Sequence, residues 1–156
     1  MSQAPRPVPS VGQTYLMVND LYTFRATSAE TNGGYMLIDA VIPPGGGPPP
    51  HIHTRETEVF VVIEGRVTCT ENGASRTLGP GETITLLPGR THTFRNDTDK
   101  SARMLVICLP AAIESMFAEC GEAVAASYTP GPARPPTREE IGRLVESCAR
   151  SGISFP

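Results

Sequence analysis

Gly45-Gly46-Gly47-Pro48-Pro49-Pro50-His51-Ile52-His53-Thr54-Arg55-Glu56-Thr57-Glu58-Val59-Phe60-Val61-Val62-Ile63-Glu64-Gly65 is a glycine–proline turn that runs into a β-branched strand. In extended chain, residues two apart share a face. His51 and His53 therefore point the same way, and Glu58, Phe60 and Val62 lie on one side of the strand that follows. Glu56 has the same parity as Glu58, so alternation alone does not choose between the two carboxylates. The chain has 3 histidines, and the third, His92, opens another strand-like stretch in Pro88-Gly89-Arg90-Thr91-His92-Thr93-Phe94. An isolated His-x-His also occurs on ordinary surface strands. Three imidazoles plus a carboxylate, however, are a donor set suited to one divalent first-row transition ion, Fe, Mn, Ni, Cu or Zn.

Around this stretch the chain reads as a succession of short strands. Residues 21–27, 34–42, 59–63, 66–70, 75–78, 83–87, 91–95 and 103–109 are the expected members. Turn signals at Glu64-Gly65, Asn72-Gly73 and Pro80-Gly81 separate them at the spacing of an all-β sandwich or barrel. Asn72-Gly73 is the strongest hairpin signal, because both residues tolerate positive φ. Beyond Pro110 the character changes. Residues 112–120 read as a short helix with Ile113, Met116 and Phe117 on one face. Thr137-Arg138-Glu139-Glu140 has the form of a capping box, and Ile141, Leu144, Val145 and Cys148 behind it form an apolar helix face. Gly152 is a fitting stop. The reading divides the chain into a flexible or sheet-edging N-terminal arm (1–13), a β-barrel (14–110) and a helical extension (111–156). The helices are expected to pack outside the barrel or against a second subunit.

The chain has 156 residues, 13 Lys plus Arg and 16 Asp plus Glu, for a formal charge of −3. That near-balance lacks the basic face of a nucleic-acid binder, and no apolar run approaches the roughly 20 residues of a membrane span. The opening residues show no secretory pattern, so a cytoplasmic protein is expected, with no nucleic-acid or membrane partner. Cys69, Cys108, Cys120 and Cys148 form no Cys-x-x-Cys pair and read as reduced thiols. Gly45-Gly46-Gly47 is not followed by the Lys-Ser or Lys-Thr of a phosphate loop, which leaves it the simpler role of a turn delivering His51.

The glycines around the histidines carry a family resemblance. Gly45, five residues, His51-Ile52-His53, four residues, Glu58, six residues, Gly65 resembles the first motif of the cupin superfamily. Gly81, five residues, Leu87-Pro88-Gly89, two residues, His92, three residues, Asn96 resembles the second, except that the family's proline position holds Leu87 and Pro88 comes one place later. The stretches 48–60 and 87–96 and the helical tail are similar to small bacterial cupins related to quercetin 2,3-dioxygenase. The resemblance implies an all-β fold, a single double-sheet (jelly-roll) cupin barrel with C-terminal helices, a small-molecule substrate and a homodimer. It implies His51, His53, Glu58 and His92 as ligands, with Glu58 also the catalytic base; the motif spacing favours Glu58 over Glu56, and the simpler reading of Glu56 is a solvated charge paired with Arg55 or another rim residue.

Strand alternation then places Phe60, Val62 and Phe94 on the wall of an apolar substrate pocket, with Tyr35, Leu37 and Met104 or Val106 as further candidates. The activity so implied is a quercetinase-like dioxygenase acting on an enolisable or phenolic small molecule. A non-redox polyketide cyclase, isomerase or lyase and a non-catalytic ligand-binding cupin are the alternatives.

Overall fold

The computed structural model describes residues 4–156. The strands are β1 (Thr14–Met17), β2 (Asp20–Ala26), β3 (Met36–Ile42), β4 (His51–His53), β5 (Thr57–Glu64), β6 (Val67–Glu71), β7 (Ala74–Leu78), β8 (Thr83–Leu86), β9 (Thr91–Arg95), β10 (Ala102–Leu109), β11 (Glu122–Val124) and β12 (Ile153–Ser154). The helices are α1 (Ser28–Thr31), α2 (Glu114–Cys120) and α3 (Arg138–Arg150). A seven-stranded sheet runs in the order β11-β1-β2-β3-β10-β5-β8, and a five-stranded sheet in the order β12-β4-β9-β6-β7. The two face each other as an all-β jelly roll with C-terminal helices.

Period-2 patterning sets the interior. Phe60 and Val62 of β5, Phe94 of β9, and Met104, Val106 and Cys108 of β10 are buried, while their odd-parity neighbours are more exposed. The β6–β7 hairpin turns on Asn72 (φ 48°) and Gly73 (φ 84°), the positive-φ pair its sequence demands. The glycine run before β4 answers to close approach. A Cβ at Gly46 would run into Asp20 Oδ1, and one at Gly47 into the Phe94 carbonyl. Buried Asn96 stitches this loop down: Gly45 N–H donates to its carbonyl (2.8 Å), and its side-chain amide donates to the carbonyls of Ile42 (2.9 Å) and Lys100 (2.7 Å). The turn that delivers His51 is thus held from both flanks.

Both flanking segments pack on the sheets. The arm, expected to be flexible or sheet-edging, is tethered over its described part (residues 1–3 lie outside the described residues), and Gly12 and Gln13 share backbone hydrogen bonds with Phe24 of β2. Arg6 forms a bidentate pair with Glu119 of α2 (2.7 and 2.8 Å) and donates to Ser147 Oγ and Ser151 Oγ of the α3 region. Charge-assisted forks of this kind fix geometry as well as adding energy.

The C-terminal helices, expected outside the barrel or against a second subunit, add side chains to the core. Ile113, Met116 and Phe117 are buried there, with Phe117 edge-on to Tyr22 (5.0 Å) and Phe24 (5.5 Å). On α3 only part of the expected apolar face turns inward. Cys148 is buried and Leu144 packs on the core, but Ile141 and Val145 are each 47% exposed. The short strands β11 and β12 escaped the sequence reading because their partners, β1 and β4, lie about a hundred residues away.

Candidate metal centre

β4 and β9 pair so that His51 stands opposite His92, and His53 follows two residues along the same strand. Glu58 comes from β5 in the opposite sheet. The four residues bring one ligand atom each within 4.8 Å of one another, in a group that can hold a metal ion. His53, His92 and Glu58 are buried, and His51 is partly buried at the cavity side.

The outward nitrogens are already committed. His51 Nδ1 lies 2.9 Å from the Pro49 carbonyl, His92 Nδ1 3.1 Å from the Arg90 carbonyl, and His53 Nδ1 3.3 Å from Glu56 Oε2. An acceptor at Nδ1 keeps the proton there and leaves Nε2 free to ligate. At the centre, Glu58 Oε2 lies 2.7 Å from His92 Nε2 and 3.3 Å from His53 Nε2. Glu58 Oε1 accepts from the buried Cys108 thiol, its neighbour across the β5–β10 pair (3.3 Å). Glu58 Oε2 and the Nε2 atoms of His92 and His53 thus converge on one point. The donor set of three imidazoles and one carboxylate, with three outward nitrogens pinned, fits a divalent transition ion.

The charges follow the geometry. Burial pushes the Glu58 carboxyl up, but the hydrogen bond from His92 and the nearby imidazoles outweigh it and bring it down to about 2. Burial lowers His51 to about 4. For His92, burial works downward, yet the hydrogen bond and charge of Glu58 leave the ring raised. Desolvation and the Glu58 carboxylate push the Cys108 thiol well above its ordinary range, so it serves as a donor and not as a thiolate.

Residues 39–108 match the family described as "Cupin domain". The chain carries a cupin domain. Over 111 residues, 71% of its length, it is 25% identical to quercetin 2,3-dioxygenase of Bacillus subtilis and covers 33% of that protein. Over 67 residues, 43% of its length, it is 37% identical to a β-D-galactosidase of Mycobacterium tuberculosis and covers 57% of it. The chain thus spans a third of the first relative and just over half of the second. Among solved structures, KdgF from Halomonas sp. superposes with a TM-score of 0.55 at 17% identity, covering 62% of this chain and 86% of that one. A "predicted oxalate decarboxylase" from Thermotoga maritima gives 0.58 at 15% identity, covering 69% and 99%. At these identities the likeness shows the cupin fold alone.

Against the cluster lies a cavity of about 80 Å³, lined by His51, His53 and Glu58 at one end and by apolar side chains such as Phe94, Val106, Phe117 and Leu144 elsewhere. Tyr22, Pro48, Phe94, Leu144 and Phe155 also border a wider groove of about 810 Å³, so the groove adjoins the cavity.

The expected pocket residues divide. Phe94 lines the cavity. Phe60 and Val62 are cupin core, Phe60 packing edge-on against Phe94 at 5.4 Å, and neither borders the cavity. Tyr35 is a correction: it precedes β3, is 41% exposed and borders neither cavity nor groove. The parity assumed for that strand was off by one, and Met36 and Ile38 take the inward places. Glu56 is a second correction: it does pair with Arg55, at 3.6 Å, but it is 0% exposed, beside His53, and not a solvated charge. Residues missed from the sequence are Tyr22 and the C-terminal set Met116, Phe117, Leu144, Cys148 and Phe155. Their apolar spacing was legible, but nothing in it said that they face the histidines.

Proposed function

We propose that the chain is a metal-dependent cupin enzyme, a quercetinase-like dioxygenase acting on an enolisable or phenolic small molecule, with His51, His53, Glu58 and His92 as the metal ligands. The observation that carries this is the three-histidine, one-glutamate cluster, of which His51, His53 and Glu58 line an otherwise apolar cavity. A divalent ion bound there supplies Lewis acidity that stabilises the charge left on an ionised hydroxyl.

The chain's own residues do the rest. The wider groove admits a substrate larger than the cavity, and the cavity takes only its oxygen-bearing end. Phe94, Val106, Phe117 and Leu144 exclude water from that end and orient a flat, apolar ring against the cluster. Glu58 Oε2 is the carboxylate oxygen facing the centre, and Cys108 steadies the other oxygen. As general base, Glu58 takes the substrate's hydroxyl proton on Oε2. Both Glu58 oxygens are held, Oε2 by His92 and Oε1 by Cys108, which favours, as second reading, a non-redox cyclase, isomerase or lyase in which Glu58 remains a ligand throughout.

Elemental analysis of untagged protein, purified without added metal, followed by oxygen uptake with a flavonol, tests the reading. About one iron, manganese, nickel or copper per chain with substrate-dependent uptake supports the dioxygenase. Zinc with no uptake supports the second reading, and failure to bind any of these ions on reconstitution overturns both.

A further inference from the structure

Glu56 is 0% exposed, on the short link between β4 and β5, two residues from the nearest expected ligand. Its Oε2 lies 3.3 Å from His53 Nδ1. Its Oε1 accepts no hydrogen bond and has an ion-pair contact with Arg55 Nε at 3.6 Å. Arg55 in turn donates through Nη2 to the Ser151 carbonyl at the C-terminal end of α3 (2.7 Å). Next to it, the Thr54 amide (2.9 Å) and hydroxyl (2.8 Å) both donate to the Gly152 carbonyl. A carboxyl is costly to bury without partners, and here the position of each oxygen has a use. One faces the outward nitrogen of a metal-site histidine, and the other faces the arginine that fastens this link to α3.

The three histidines differ in this respect. His51 and His92 turn Nδ1 to backbone carbonyls of residues two places earlier in their own segments, contacts that no side-chain substitution removes. His53 alone relies on a side chain. We propose that Glu56 is the positioning residue of His53: its Oε2 accepts the Nδ1 proton, so that the Nε2 lone pair faces the cluster, and Arg55 anchors the carboxyl to the end of α3. The consequence for metal affinity rests on the function proposed above. The hydrogen bond itself does not, because the fold sets its two partners face to face whatever the site does.

The test uses the full chain and two variants. Glu56→Met keeps bulk and removes the acceptor, while Glu56→Gln keeps an acceptor in its amide carbonyl. Long-range ¹H–¹⁵N spectra of the metal-free proteins, at a pH where His53 is neutral, report which ring nitrogen carries the proton. Wild type shows Nδ1–H at His53, Glu56→Met shifts toward Nε2–H, and Glu56→Gln restores Nδ1–H. Zn²⁺ titration against a chelator should then show a 10–100-fold loss of affinity for Glu56→Met and a smaller loss for Glu56→Gln. Nε2–H at His53 in the wild type, or a folded Glu56→Met protein that binds Zn²⁺ within twofold of wild type, overturns the proposal. Should the wild type bind no Zn²⁺ or other divalent ion, the functional reading falls while the tautomer spectra still decide the role of Glu56. Should Glu56→Met fail to fold, the wild-type and Glu56→Gln spectra decide it.

Discussion

The strand framework and the C-terminal helices contribute to one site in different ways. In the framework every ligand is placed by local rules: a two-residue period, a positive-φ glycine or a cross-strand pair. His51 faces His92 because β4 and β9 are in register, and Glu58 reaches them because β5 alternates. In α3 the local rules are also satisfied, down to the reciprocal Thr137–Glu140 capping box, whereas α2 starts at Ile113 with no side-chain cap. What those helices cover is decided by tertiary packing. The framework fixes the chemistry of the site and the helices fix its walls, so substitutions in the two regions should separate binding from stability.

The largest effect expected is at the framework. His51→Ala combined with His92→Ala should take metal content to nothing while leaving the circular dichroism of a folded β protein. Stoichiometric metal in that variant would break the comparison at its base. Next comes Phe117→Ala in α2, which removes a buried ring packed on Tyr22 and Phe24. It should cost about 3–5 kcal/mol in denaturant melts and widen the cavity without altering the ligand set.

The third test is a buried acid in the framework. Asp20 is 4% exposed beside the glycine run, and Oδ1 has no hydrogen-bond partner. Burial raises its carboxyl to about 7, although the Tyr22 hydroxyl and the Gly47 amide pull the other way. A folded-state value above the unfolded one means a contribution fully present below about pH 4 and lost as pH rises through 7. Relative to Asp20→Asn, the wild type should therefore lose up to about 4 kcal/mol between pH 4 and 8. Parallel pH–stability curves for the two proteins would remove the desolvation argument.

The smallest effect sharpens the helix side. Ile141→Ala should change stability by no more than about 0.5 kcal/mol, as surface substitutions do, whereas Leu144→Ala, three residues on, should cost several times more. Equal costs would mean that Ile141 is covered in solution by something beyond this chain.

How much of this was legible in the sequence differs by residue. The hairpin at Asn72-Gly73 and the shared face of Glu58, Phe60 and Val62 follow from turn chemistry and alternation, the grouping of His92 with His51 and His53 follows from the cupin resemblance, and the structure has all three. Tyr35 went astray because a strand's parity is set by where its ladder begins, and β3 begins at Met36. Glu56 could not be placed because it precedes β5, where alternation gives no direction. Ile141 and Val145 share the helical period of Leu144 and Cys148, and the period cannot say how wide the buried stripe is. Phe60 and Val62 were correctly turned inward, but the interior at that level is filled core and not cavity.

The pairing of β12 with β4 bears on how the site comes into being during synthesis. Thr54 and Gly152 are 98 residues apart, and Ile153 is the register partner of His53. Until residues 152–154 have left the ribosome, the strand carrying two of the histidines has an open edge, and closing so long a loop is entropically costly. Glycines and prolines can shape the histidine turn early. The histidine strand acquires its outer neighbour only when the tail arrives, so completion of the site doubles as a check that the chain has been translated through that point.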